Sequence, residues 1–284
     1  MVTSLREEWR TLVTAARLGW AIESNWTEPY LFFVYSVARP LASALILVFM
    51  YIVIAGGATR PEVMGFLVVG NAFWAFVANA LQGLSWGLLD DRERYYMLKY
   101  VYISPNRFYT YVLGRGSAQL ASASAAAVIT LALGGLFLGV PINLLRLDYP
   151  LLLVSFVLGM SAVVAIGVAV VGLSLNISRE SWGFSEGVAG TLFLLCGAIF
   201  PIAVLPEWVH PLARAIPLTY WLEASRRALF GTVEGFSLVG ISTAEVVVYL
   251  VATTVVFVFL ANVTFRYSEH RAKERGMIDM ITGY

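Results

Sequence analysis

Residues 206–227 read PEWVHPLARAIPLTYWLEASRR, with three prolines, two glutamates, a histidine and three arginines. The chain around them is 59% hydrophobic and only 13% charged. Such a stretch is too polar and too interrupted to be an ordinary membrane span. Its reading depends on what flanks it.

The mean hydropathy of +0.77, together with several uncharged apolar runs of about 20 residues, marks a polytopic helical membrane protein. One membrane domain, 1–284, is expected. The net charge of +1 gives no electrostatic basis for nucleic-acid binding. Cys196 is the only cysteine, so no intrachain disulfide can form. The opening MVTSLREEWR lacks an early apolar core, and a cleaved signal peptide is not expected.

Working outward, apolar runs at 182–205 and 244–265 flank the stretch, and further runs lie at 30–57, 63–89, 109–138 and 151–175. These are six expected spans. In the second, Asn71, Asn79 and Gln82 fall within about 80° of one helical face, which meets either another helix or a polar path. The third carries small residues every four positions, at Gly114, Ala118, Ser122 and Ala126, suited to close helix contact. Residues 1–27 are too charged to cross. Leu5, Trp9, Leu12, Val13, Ala16 and Trp20 nonetheless share a stripe about 100° wide, as in a helix lying in the interface plane or packed on a partner.

Six spans put both termini on one side. Thirteen lysines and arginines fall on that side, in 1–27, 90–115, at Arg179 and in 266–284, and five fall opposite. Both termini are therefore expected in the cytoplasm, and residues 206–231 outside. Segments 206–216 and 218–231 would be helices of about 16 and 21 Å, too short to cross. They fit an outer re-entrant pair between helices 5 and 6, or a surface loop anchoring the helix ends. Pro206 and Pro217 each suit a helix start. Glu223 lies three and four residues before Arg226 and Arg227, so the charges can pair while Leu218, Leu222 and Leu229 enter the outer leaflet.

The run CGAIFPIAVLPEWVHPLARAIPLTYWLEASRRALFG, residues 196–231, closely resembles the C-terminal signature of ABC-2 type permeases, with its Phe-Pro pair, Leu-Pro, Pro-Leu-Thr-Tyr and later arginine before glycine. The resemblance implies the membrane subunit of an ATP-binding-cassette exporter, working as a permease dimer, here a homodimer, with two ATPase subunits that hold ATP and Mg. It places Phe200, Pro201 and Tyr220 with the outer re-entrant and gating elements. It also implies that the loop 90–107 carries a coupling helix that docks on the ATPase, through Asp90, Asp91, Arg92, Glu93 and Arg94 as polar contacts and Met97, Leu98 and Val101 as apolar ones. Many members carry Gly-Thr after this charged run, whereas this chain has Tyr95 and Tyr96. The expected location is the cytoplasmic membrane of a prokaryote, in contact with membrane lipids.

No GxxxxGK[ST] run occurs, so the chain lacks that phosphate cradle and the energy must come from a partner. His210 and His270 are the only histidines and fall on opposite sides. No two acids share a span, so an intramembrane enzyme lacks its groups, and no cofactor or metal is expected on this chain. A secondary carrier or channel is the rival reading. It would place charged or broken-helix sites at the midplane, where these spans are nearly free of charge. The cargo fits an amphipathic or lipid-linked molecule, with drug, lipid and polysaccharide precursor all open.

Overall fold

The computed structural model describes residues 5–25, 28–56, 60–104, 107–137, 147–177, 181–232, 238 and 240–278. All regular structure among them is helical: α1 (Leu5–Asn25), α2 (Pro29–Ile54), α3 (Pro61–Glu93), α4 (Leu98–Ile103), α5 (Phe108–Phe137), α6 (Tyr149–Ser174), α7 (Ser181–Leu195), α8 (His210–Ala215), α9 (Pro217–Phe230) and α10 (Thr243–Glu274). Proline in the first turn starts α2, α3, α6 and α9, where its missing N–H costs nothing. The Asp148 side chain accepts from Leu151 N at 3.0 Å to cap α6. A capping box of Ser242 and Glu245 starts α10.

Four of these helices are long and apolar enough to cross a membrane, namely α3, α5, α6 and α10, with shorter apolar helices at Leu41–Ile54 and Gly183–Leu195. In α3, 72% of the apolar window is buried, against 22% in α10. α3 is thus the central helix, touching α2, α5, α6, α7 and α9, and α10 lies on the rim. The apolar core forms where α3, α6 and α9 meet. Trp221 is fully buried there, edge-on to Phe73 at 5.2 Å and Phe76 at 5.7 Å. Gly159 leaves room for its indole, since a Cβ there would lie 2.2 Å from the ring.

Three elements differ from the sequence expectation. α7 stops at Leu195, ten residues before the expected end of the fifth span, because Gly197 takes φ +71 and Pro201 follows. The second span continues as helix to Glu93, so the expected loop at 90–107 begins as the last turn of α3 and contains α4. The sixth helix runs on to Glu274, into the expected tail.

The small-residue face of α5 meets α1. A Cβ on Gly114 would sit 2.6 Å from Leu12 O, and one on Gly19 would sit 2.6 Å from Arg115 O. The two backbones touch. Ala15 and Gly19 form the inner face of α1, while Leu5, Trp9 and Trp20 remain exposed.

Candidate functional site

Two polar constructions stand at opposite ends of α3. The first is built on α9. Here Leu218 and Leu222 do not reach lipid, because α3, α6 and α10 pack around them and leave both essentially without exposure. Protein cover of this kind is what a short, non-spanning segment needs to satisfy its backbone.

The expected charge cluster divides. Glu223 Oε1 pairs with Arg227 Nε at 2.6 Å across one turn, and both side chains are buried. Arg227 also donates to Ile241 O at 2.9 Å and Leu238 O at 3.3 Å, and Leu238 N donates to Glu223 Oε1 at 3.2 Å. This pair therefore fastens α9 to the strand of chain that enters α10. Arg226 turns the other way. It donates to Gly197 O at 2.9 Å, Ala198 O at 2.7 Å and Phe66 O at 3.4 Å, and its guanidinium lies 3.5 Å from the Phe66 ring centre. The carbonyls freed where α7 breaks thus find their donor in Arg226. Gly70 permits the close approach, since a Cβ there would meet Ala198 O at 1.9 Å.

Pro217 and Tyr220 are buried on α9, and Phe200 and Pro201 are half-buried in the bend after α7. Pro206 is exposed and begins a turn of 3-10 helix, Glu207–Val209, that leads into α8. The Tyr220 ring stacks on Tyr249 of α10 at 5.4 Å.

The second construction is the elbow after α3. The backbone reverses through Tyr95 N and Arg94 N, both donating to Asp90 O, and Met97 N, donating to Asp91 O. Tyr96 takes φ +52, a left-handed conformation that costs a non-glycine residue roughly 1–2 kcal/mol. Asp91 is wholly buried. It accepts from Tyr111 Oη at 2.6 Å and pairs with Arg115 at 3.3 Å, which clamps the end of α3 to α5. Arg92 and Glu93 are also buried and pair with each other at 2.6 Å.

Of the expected coupling residues, Asp91, Arg92, Glu93 and Leu98 are therefore buried. Asp90, Met97 and Val101 are half-buried, and Arg94 is exposed. The free face consists of Arg94, Tyr95, Tyr96, Lys99, Tyr100 and Ile103. Beside it α1 and α4 enclose a 440 Å³ cleft lined by Glu7, Arg10, Met97 and Tyr100. Glu23 of α1 accepts from Gln119 Nε2, and partial burial holds its carboxyl above the usual carboxylate range.

Residues 18–230 match the family model described as ABC-2 type transporter. The chain belongs to this family. It is a multi-pass membrane protein and a transport permease. No curated protein matches it at a significant level. The match runs from the second half of α1 to the end of α9, and so takes in the elbow and α9 of this ABC-2 domain, stopping short of Leu238 and Ile241.

The polar stripe of the second span is divided in this permease. Asn71 is buried and accepts from Ser43 of α2 at 2.9 Å, so that residue serves helix packing. Asn79 and Gln82 are half-buried. Sequence reasoning missed Tyr111 and Arg115 as partners of Asp91, and Phe66 and Gly70 as the wall behind Arg226. Leu84, Leu88 and Asp91 follow one another at spacings of four and three, a signal that Asp91 continues the inward face of α3.

Proposed function

We infer that this permease is the membrane subunit of an ATP-driven exporter. Two copies form the path for an amphipathic or lipid-linked substrate across the cytoplasmic membrane of a prokaryote. Two copies of a separate ATP-binding-cassette ATPase bind ATP and Mg and supply the energy. Six spans with cytoplasmic termini put the elbow inside and the α8–α9 pair outside, as an outer re-entrant unit.

The observation that carries this reading is the elbow. Its exposed face carries three tyrosines and an arginine, residue types enriched at protein interfaces, with Lys99 beside them as a further positive charge. It is mounted on a helix whose last turn is clamped to α5 by the buried Asp91–Arg115–Tyr111 cluster. A push on that face moves α3 as a body. At its other end α3 carries Phe66 and Gly70, which touch Arg226 and the broken end of α7. The same helix thus links an ATPase-facing surface to the outer gate.

Dimerisation through α2 and α7 is supported by their uncovered faces. Ile46, Phe49, Val53 and Ile54 of α2 are exposed. A Cβ on Gly187 or Gly190 of α7 would meet nothing within 4 Å. Small residues on an open face suit close helix contact in a membrane.

The test is purification of the tagged permease from its native membranes under mild detergent. An ATPase bearing a GxxxxGK[ST] loop should accompany it in equal molar amount. A permease recovered without any ATPase, with transport driven by an ion gradient, contradicts the proposal.

A further inference from the structure

Beside the elbow, α1, α4, α5 and α10 enclose a groove of 1080 Å³, somewhat larger than the roughly 300–1,000 Å³ of most small-molecule sites. One face of α10 supplies its long wall through Val255, Val258, Phe259, Asn262, Arg266 and Lys273. Along that wall the chemistry changes in order. The first three are apolar and exposed, Asn262 is polar, and the last two are cationic. Val255 and Arg266 lie 11 residues apart, about 16 Å along the helix, close to half of a ~30 Å hydrocarbon core. This is the polarity profile of one leaflet, from acyl chain to headgroup.

The charges at the basic end are not equivalent. Arg107 pairs with Glu8 at 2.9 Å and Lys273 with Glu269 at 2.7 Å. Arg266 meets no acid among the described residues. Its Nε donates to Asn262 Oδ1 at 3.1 Å, and the remaining guanidinium N–H groups are free to bind an anion. Trp9 closes the groove from α1 and is largely exposed, as an interfacial tryptophan at headgroup level would be.

We propose that this groove binds one anionic phospholipid, with its phosphate on Arg266 and one acyl chain along Val255, Val258 and Phe259. A guanidinium fork matches a phosphate, and basic pockets between membrane helices suit acidic headgroups. A soluble protein cannot reach the apolar end, which lies about 16 Å along the helix from Arg266 and, on the multi-pass reading, inside the bilayer. The bound lipid joins α1 to α10, two helices at the edge of the elbow. The proposal rests on the multi-pass reading and not on ATP coupling, so failure to recover an ATPase leaves it standing.

The full-length permease in neutral detergent would be titrated with phosphatidylglycerol and with phosphatidylcholine of the same chains, and bound lipid counted by native mass spectrometry. Wild type should retain phosphatidylglycerol at least ten-fold more tightly, and Arg266→Gln should abolish that preference while leaving phosphatidylcholine retention and the thermal midpoint unchanged. Millimolar inorganic phosphate should fail to displace the lipid. Should the variant fail to fold, phosphatidylglycerol with a photoreactive acyl chain on wild type must label peptides within 5–12 and 255–273. Equal retention of the two lipids, unchanged preference in Arg266→Gln, displacement by phosphate, labelling elsewhere, or cross-links between two copies through this groove would each overturn the proposal.

Discussion

Replacing Arg226 by methionine keeps most of the side-chain volume and removes the donors that hold the chain break after α7. Two carbonyls, Gly197 O and Ala198 O, lose bonds of 2.9 and 2.7 Å. Each buried acceptor left without a partner costs about 1–3 kcal/mol. Part of that loss is offset, because the buried guanidinium itself carries a desolvation penalty of several kcal/mol. A net drop of about 2 kcal/mol in the cost of locally opening the bend follows, and at 1.4 kcal/mol per decade it raises the open population about 30-fold. Cys196, the only cysteine, is 2% exposed and adjoins the bend, so it reports this opening directly. Labelling of the purified permease with a small maleimide should run about 30-fold faster in Arg226→Met. In Arg227→Met, which loosens α9 from the residues before α10, it should change less than about three-fold. Equal rates in wild type and Arg226→Met, or equal acceleration in both variants, would refute the assignment of Arg226 to the α7 break.

Glu223→Ala leaves Arg227 buried with only carbonyl and hydroxyl partners, and should cost about 3 kcal/mol, read as a lowered thermal midpoint with ATPase association retained in the folded fraction. Gly114→Leu drives a side chain into Leu12 O of α1 and should detach α1 from α5, exposing sites between Thr11 and Gly19 to limited proteolysis. On the six-span reading, a cysteine placed at Gly283 should react only with reagents that enter the cytoplasm, and one at Gly235 with external ones. Labelling of both from one side would overturn the topology.

Much of this fold was legible because hydrophobic length and helix starts are local properties. The span 63–89 lies within α3, 109–137 lies within α5, with residue 138 outside the described residues, and 151–175 ends one residue past α6. Gly114 and Ala118 do sit at a close helix contact, although the helix they face is α1, and nothing in the spacing names the partner. The four-residue spacing of Glu223 and Arg227 announced their ion pair. What stayed hidden depends on distant backbone. Arg226 bonds to carbonyls 28, 29 and 160 residues away, which no side-chain pattern marks. The resemblance gives Asp90 to Arg94 as polar contacts of a coupling loop, yet Asp91, Arg92 and Glu93 turn inward on a helix that has not ended. Phe265, Ser268 and Ala272, all buried at spacings of three and four, likewise carry α10 past its apolar run.

The exposed elbow is the proposed point at which an ATPase drives this permease. Arg94→Glu with Lys99→Glu reverses two exposed charges and spares the buried Asp91, Arg92 and Glu93, so the thermal midpoint should stay within about 1 °C of wild type. ATPase co-purification and the ATP hydrolysis of the complex in proteoliposomes should both fall more than about ten-fold, since repulsion replaces attraction at the interface. Association and hydrolysis at wild-type levels in the folded double variant would contradict the claim that ATP hydrolysis reaches the permease through this elbow.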